Sequence, residues 1–344
     1  MRRAVVLAAR GEPATKPNPS VGCVVLDAAG EVAGEGWHAA VGGPHAEVVA
    51  LTAAAERARG GTVVVTLEPC AHTGRTPPCV DALLEAGVGR VVYAVPDPTG
   101  LAGGGAGRLR TAGVDVEGGV LGREAERVNA RWLTCSRELR PYTTWKYAAS
   151  LDGRVAAADG TSRWISGATA RAEVHRMRAA HDCIVVGVGT VLADDPQLTA
   201  RLPDGSPAET QPLRVVVDSS GRTPPRARVR DEAAPTWVVT TADVGAGPDG
   251  RVDLGALMRA LAAKGHQDAF VEGGPTLAGA LVASGLVDRV VAYVAPLLLG
   301  AGPPALGPAG VRTLPDALRL DLDEVGRLGD DVRLVGRPYT ARED

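Results

Sequence analysis

Thr62-Val63-Val64-Val65-Thr66-Leu67 runs without a break into Glu68-Pro69-Cys70-Ala71-His72-Thr73-Gly74-Arg75-Thr76-Pro77-Pro78-Cys79, and upstream stands His45-Ala46-Glu47. The first six residues have the β-branched continuity of a buried strand, and glycine and prolines mark the loop that follows. Cys79 then opens a helical segment reaching Glu85, and His45 precedes another from about 46 to 58. With strands at 21–26 and 91–95, the order is strand-helix-strand-helix-strand, which predicts an α/β sheet rather than a sandwich or a bundle.

The same stretch carries chemistry. A zinc ion that hydrolyses an amino group needs three protein ligands and one open position, and one imidazole with two thiolates supplies them in His45, Cys70 and Cys79. Such an ion brings the pKa of its water toward neutrality. Glu47 is then the candidate catalytic residue, moving a proton from that water to the leaving amine, the role of the Glu in H-x-E…P-C-x-x-C zinc deaminases. Helix starts at His45 and Cys79 favour thiolate and developing negative charge. Taken singly, each residue reads as an ordinary surface or core residue; the set, in this order, points to a metal.

At 344 residues the chain exceeds the size of one hydrophobic core, so two domains are expected, 1–141 and 142–344, divided after Arg140-Pro141. Aromatics are 3%, with Phe270 the single Phe, so Ala, Val and Leu must fill both cores. Basic and acidic residues number 15 and 15 in the first half and 22 and 25 in the second, which argues against a nucleic-acid-binding domain in either. The apolar run after Met1-Arg2-Arg3 breaks at Arg10, too short for an export signal or a membrane span. Five cysteines without a secretory signal do not make a disulfide framework, so the expected compartment is the reducing cytoplasm, with Cys23, Cys135 and Cys183 as small packing residues. Residues 99–107 are glycine-rich but lack the Gly-Lys-Ser/Thr ending of a P-loop and read as a flexible loop; a helix at 123–137 follows. The second half reads as strands at 142–149, 183–188, 213–217, 236–240, 269–272 and 289–298, a helix at 168–180, a loop at 300–310 and a frayed tail at 341–344.

Eight residues separate Cys70 from Cys79 where the general deaminase signature has two. This longer loop, with Pro17-Asn18-Pro19-Ser20-Val21-Gly22-Cys23-Val24, closely resembles the riboflavin-pathway pyrimidine deaminases. The resemblance implies a cytidine-deaminase-like three-layer α/β/α domain in which His45, Cys70 and Cys79 hold Zn2+ and Glu47 shuttles protons. It also implies that Asn18 and His72 contact a pyrimidine ribotide. Without it, Asn18 is a turn residue between prolines and His72 an exposed loop histidine.

In the second half, Val186-Gly187-Val188-Gly189-Thr190-Val191-Leu192 starts like a dinucleotide fingerprint but has Leu192 at the third glycine, and Val271-Glu272-Gly273-Gly274-Pro275 runs a strand into a helix-starting proline. Each alone is weak. Lys146-Tyr147-Ala148-Ala149-Ser150-Leu151-Asp152-Gly153-Arg154, Ser162-Arg163-Trp164-Ile165-Ser166 and the run from Gly189 through Asp194-Asp195-Pro196 to Arg201 closely resemble the reductase domain of the same pathway. That resemblance spans nearly all of 142–340 and implies a dihydrofolate-reductase-like α/β fold. It implies NADPH at Ala149, Trp164, Thr190, Asp194, Ser219 and the turn Gly274, Pro275, Thr276, Leu277, Ala278, Gly279 and Ala280. It implies a ribose phosphate substrate at Lys146, Ser162, Arg178, Leu198, Arg201 and Glu272. Guanidinium forks match phosphate oxygens, which suits the arginines. Without the resemblance, Arg178 reads as a solvated helix face, Trp164 as core, and Asp194 as a turn or cap. No base is evident for hydride transfer, so that step is expected to rest on placement, with water supplying the proton.

The implied function is bifunctional: removal of the 2-amino group of 2,5-diamino-6-ribosylamino-4(3H)-pyrimidinone 5′-phosphate, then NADPH reduction of the ribosyl group to ribityl. Small-molecule ribotides are the expected partners, without nucleic acid or membrane, and a homodimer or higher homo-oligomer is the expected assembly. Two rivals stand beside it. An RNA-base deaminase with 142–344 as a binding domain is opposed by the charge balance and the long loop, and a non-catalytic zinc module calls for four ligands where three and a Glu are found.

Overall fold

The structure is a computed structural model that describes residues 1–74, 77–100 and 102–339; the tail at 341–344 lies outside the described residues. The chain forms two compact units, from Met1 to Leu139 and from Arg140 onward.

The first unit contains α1 (Arg2–Ala9), β1 (Gly22–Leu26), β2 (Val32–Trp37), α2 (Ala46–Ala54), β3 (Thr62–Leu67), α3 (Cys79–Glu85), β4 (Arg90–Val95), α4 (Gly105–Thr111), β5 (Asp115–Gly118), α5 (Gly122–Val128) and α6 (Ala130–Glu138). The strands order as β2-β1-β3-β4-β5, with β1 antiparallel to β2 and β3, and β3, β4 and β5 parallel. On one face Cys23, Val25, Val63 and Val65 pack against Ala46, Ala50, Val80, Leu83 and Leu109 from α2, α3 and α4. On the other, Val24 and Val64 meet Ala4 and Leu7 of α1, while Leu67 and Ala94 meet Ala125 and Leu133. A sheet between two helical layers is the three-layer arrangement expected.

Several elements depart from the sequence reading, each for a local reason. Strand β2 is too glycine-rich to show a strand pattern, and its glycines are what seat α2. A Cβ on Gly34 would lie 2.2 Å from the Ala50 carbonyl, and one on Gly36 would lie 2.5 Å from that of Ala46. The helix that carries Glu47 can approach the sheet only over a bare backbone. Residues 99–107 are not all loop: α4 begins at Gly105, where the buried Glu68 carboxylate accepts from the Ala106 N–H at 2.9 Å and so satisfies one of the open first-turn donors. The helix expected at 123–137 is two, α5 and α6, meeting at Asn129. That side chain is 3% exposed and clamps the Ser20 backbone, accepting from its N–H at 2.7 Å and donating to its carbonyl at 2.8 Å.

The second unit contains β6 (Tyr142–Ser150), α7 (Ala168–Ala180), β7 (Cys183–Gly187), α8 (Val188–Asp194), β8 (Leu213–Val217), β9 (Thr236–Val239), α9 (Thr241–Val244), α10 (Leu254–Ala263), β10 (Asp268–Val271), α11 (Pro275–Ala283), β11 (Arg289–Ala295), β12 (Leu320–Leu328) and β13 (Asp331–Pro338). Its sheet orders as β12-β13-β11-β6-β10-β7-β8-β9; the strands from β11 to β9 are parallel, and β13 and β12 close one side antiparallel. Helices α10 and α11 cover one face through Leu257, Leu261, Leu277 and Leu281, and α7 and α8 cover the other through Ala170, Val174, Val188 and Val191. Val188, expected in a strand, starts α8, and β11 stops at Ala295 because Pro296 follows. The late insertion of β10 between β6 and β7 makes a topological switch, whose carboxyl ends form the usual ligand crevice of such sheets. Among the described residues, no helix is long and apolar enough to cross a membrane.

Candidate active sites

In the first unit, His45 is the extended N-cap of α2, Cys70 lies just beyond β3, and Cys79 is the first residue of α3. The strand end and the two helix starts bring the three side chains together. His45 Nδ1 is 3.1 Å from Cys79 Sγ and 3.6 Å from Cys70 Sγ, and the Cys79 amide donates to Cys70 Sγ at 3.3 Å. All three ligand atoms fall within 4.8 Å of one another, the one such cluster of three among the described residues. Zn–S bonds near 2.3 Å and Zn–N bonds near 2.0 Å reach a common centre from such a triangle, so this donor set fits a zinc ion with a fourth position open.

The electrostatics agree. A hydrogen bond from Cys79, with His45 and the Cys79 amide, holds the Cys70 thiol down at about 4, against the cost of its burial. Cys79 is pushed up by sharing its proton with Cys70 and by burial, so the metal-free pair retains one proton, which a divalent ion displaces. Glu47, in the first turn of α2 and 4% exposed, has its pKa raised by burial against the opposing pull of its helix amide and His45. A carboxyl raised in this way is suited to take up a proton and release it again.

A cavity of about 460 Å³ opens over this triad, lined by Asn18, His38, His45, Glu47, Cys70 and His72 among others. Asn18 is exposed at its wall, and His72 Nδ1 is buried without a partner among the described residues. Glu68, Asn129 and His38 were not singled out in the sequence. Glu68 accepts from the Asp97 and Ala106 amides and so ties the 97–106 segment beside Cys70. Its only sequence trace is its place before Pro69-Cys70, because its partners are backbone groups far along the chain.

In the second unit Lys146 lies in the middle of β6, Glu272 just beyond β10, Thr190 in α8 after β7, and Ser219 just beyond β8. The register pairs Val271 with Trp145 and Val185, which sets Glu272 beside Lys146. Arg178 of α7 donates to Glu272 through Nε at 2.5 Å and Nη2 at 3.0 Å, and through Nη1 to the Thr199 carbonyl at 3.2 Å; Lys146 Nζ lies 3.6 Å from Glu272. Burial works against the Glu272 carboxylate, yet Arg178 and Lys146 hold it at about 2. Lys146 is lowered by burial and by Arg178, more than Glu272 at the longer distance restores. Arg178–Glu272 is therefore the strong pair, and Lys146 is the readier of the two cations to give up a proton. The fork of Arg178, expected to face phosphate, is committed to Glu272, whereas Arg201 is exposed and touches Gln197 at 2.6 Å.

The remaining expected residues divide. Thr190 Oγ1 accepts from the Gly274 amide at 3.1 Å, joining α8 to the start of α11, and Ser219 Oγ accepts from Val252 N at 3.0 Å. Trp164 is 68% exposed, with the Arg171 guanidinium 4.5 Å from its ring centre, so it is not core. Arg163 donates to the Asp194 carbonyl at 2.7 Å, and Ser162 is half-buried in the same segment. Ala149, Leu198, Leu277 and Ala278 are core residues and offer a ligand almost no surface. Gly279 packs on Pro308, leaving Gly274, Pro275, Thr276 and Ala280 as the open part of the turn. Bare glycines before the nine-residue α11, with Pro275 at its first position, fit a pyrophosphate-bearing cofactor.

Two family models match the chain, one in each half. A family described as the RibD C-terminal domain matches residues 141–334, and the cytidine and deoxycytidylate deaminase zinc-binding region matches residues 1–95. The riboflavin biosynthesis protein RibD of Mycobacterium tuberculosis is 51% identical over 324 residues, covering 93% of this chain and 91% of that protein. The solved structure of Acinetobacter baumannii RibD is 39% identical with a TM-score of 0.79, covering 98% of each chain. A diaminohydroxyphosphoribosylaminopyrimidine deaminase/5-amino-6-(5-phosphoribosylamino)uracil reductase from Thermotoga maritima is 33% identical with a TM-score of 0.78, covering 98% of this chain and 97% of the other. The chain belongs to the RibD family, in which a zinc deaminase is joined to an NADPH-dependent reductase of riboflavin biosynthesis.

Proposed function

We propose that the first unit deaminates 2,5-diamino-6-ribosylamino-4(3H)-pyrimidinone 5′-phosphate and that the second reduces the ribosyl group of the product, giving 5-amino-6-ribitylaminouracil 5′-phosphate. The observation that carries this reading is the His45, Cys70 and Cys79 triangle beside buried Glu47, with His45, Cys70 and Glu47 lining one cavity. Zinc held by those three residues supplies Lewis acidity that makes a water acidic enough to react at neutral pH. Glu47 takes the proton of the attacking water and delivers it to the departing amine, its raised pKa keeping both transfers within reach. Asn18 and His72 hold the pyrimidine in the cavity.

In the second unit, NADPH supplies the hydride. The open part of the turn, Gly274, Pro275, Thr276 and Ala280, with Thr190, Asp194, Ser219 and Trp164, holds the cofactor, and Lys146, Ser162, Arg201 and Glu272 hold the ribotide. Arg201 meets the phosphate directly in this reading, while Arg178 shapes the site by fixing Glu272. The chain acts in the cytoplasm, a reading supported by five free cysteines, and as a homodimer or higher homo-oligomer, supported by the open edge strand β12, where Leu322 and Val325 are 58% and 61% exposed.

Incubation with the diaminopyrimidine ribotide alone tests this directly. The expected result is release of ammonia and accumulation of the deaminated ribotide, which consumes NADPH once the cofactor is added. Release of ammonia from cytidine but not from the ribotide would replace this substrate with a nucleoside.

A further inference from the structure

His38 follows β2 directly and is 5% exposed, with its backbone N–H donating to the Val21 carbonyl at 2.9 Å. Its ring stands between two walls of the deaminase cavity. Nδ1 is 3.1 Å from the Pro44 carbonyl, next to His45, and Nε2 is 3.4 Å from Asn18 Nδ2. The ring also meets that of His45 edge-on, with centroids 5.9 Å apart. A carbonyl can only accept, so Nδ1 carries a proton, and Nε2, which faces the Asn18 NH2, is the acceptor of that pair. Asn18 must turn its NH2 toward His38, which leaves its Oδ1 as the group offered to the cavity it lines.

We propose that His38 is a positioning residue that fixes Asn18 as a hydrogen-bond acceptor, and so selects a substrate with a ring N–H or amino donor at that place. The inference rests on the pyrimidine reading of the site and deepens it. A 4(3H)-pyrimidinone carries a ring N–H beside the carbon that bears its amino group, whereas a cytosine-type ring has a bare nitrogen there. The Pro44 carbonyl thus sets the imidazole tautomer, the tautomer sets the amide, and the amide reads the ring. A site built to accept from an N–H rejects a ring that offers only a lone pair, because two acceptors are left facing each other.

The test measures kcat and KM for ammonia release, with zinc content, in wild type, His38→Gln and His38→Asn. Gln places an amide near the Nε2 position and restores a partner for Asn18, so its KM is expected to stay within about three-fold of wild type. Asn retains only the Pro44 side, so its KM is expected to rise about ten-fold, with kcat and zinc content little changed, the loss of one hydrogen bond. An unchanged KM in His38→Asn overturns the proposal, as does loss of zinc in both variants, which makes His38 a support for His45 instead. A ribotide methylated on its ring N–H, given to the wild type, tests the same point without a substitution: about ten-fold weaker binding is expected, and an equal KM overturns the proposal. Ammonia release by the wild type separates the two levels, since its absence ends the pyrimidine reading and its presence with an unresponsive His38→Asn ends only this one.

Discussion

Replacing Arg178 by Ala distinguishes a guanidinium that binds substrate from one that neutralises a buried carboxylate. The side chains of Arg178 and Glu272 are 17% and 10% exposed, and two donor nitrogens meet the two carboxylate oxygens. Removing one partner of a buried pair costs ~3–5 kcal/mol, chiefly because the other charge is left without compensation. Lys146, 3.6 Å from Glu272, remains after the change, so the lower end of about 3 kcal/mol is expected. In a unit of this size each kcal/mol moves the melting temperature by ~2–4 °C, giving a fall of about 6–12 °C. Scanning calorimetry of wild type, Arg178→Ala, Glu272→Gln and the double variant reads this directly. The double variant is expected to be less damaged than the sum of the singles, by at least about 1.5 kcal/mol, because the two side chains act as one unit. A variant Arg178→Ala that melts within about 2 °C of wild type while KM for the ribotide rises would refute the reasoning and return the fork to the phosphate.

The same carboxylate gives a pH prediction. Folding lowers the Glu272 pKa from 4.5 to about 2, so the unfolded chain takes up its proton first as the pH falls. The stabilisation is complete above about pH 4.5 and lost as the pH falls toward 2, on the order of 3 kcal/mol before the opposing cost of burying Lys146, and urea titrations across that window in wild type and Glu272→Gln should differ accordingly. Glu68→Ala removes the acceptor of two amide donors, at ~1–3 kcal/mol each, and hydrogen exchange at the Asp97 and Ala106 amides should accelerate together while other first-unit amides change less. Chelation of zinc, or Cys79→Ser, should abolish ammonia release with loss of bound metal, while NADPH oxidation on the deaminated ribotide continues; metal retained at one per chain in Cys79→Ser would remove that cysteine from the ligand set.

What the sequence made legible follows element strength. The β3 strand, the turn to Cys79 and the start of α2 were readable because their apolar patterns are strong and the zinc-ligand candidates sit at their ends, where caps and prolines mark the boundary. Strand β2 was not, because Gly34 and Gly36 answer to the backbone of α2 rather than to a strand pattern. Strand β12 was missed because charged Asp321, Asp323 and Glu324 interrupt its exposed apolar residues. Glu68, Asn129 and His38 act on amides, carbonyls and a side chain brought near only by folding, so no local spacing announces them. Arg178 shows the converse: the residue was readable, but its nearest partner is a carboxylate 94 positions away.

The central claim is that two independent sites carry out consecutive steps, and one paired assay tests it most directly. Wild type and Glu47→Gln are given the diaminopyrimidine ribotide with NADPH, then the deaminated ribotide with NADPH, and ammonia and NADPH are followed together. Wild type is expected to release ammonia and oxidise NADPH with the diaminopyrimidine ribotide and to oxidise NADPH without ammonia release with the deaminated ribotide, while Glu47→Gln releases no ammonia from the first yet oxidises NADPH at the wild-type rate with the second. Wild-type enzyme that releases ammonia but never oxidises NADPH, or a Glu47→Gln variant that loses both activities, would contradict the account.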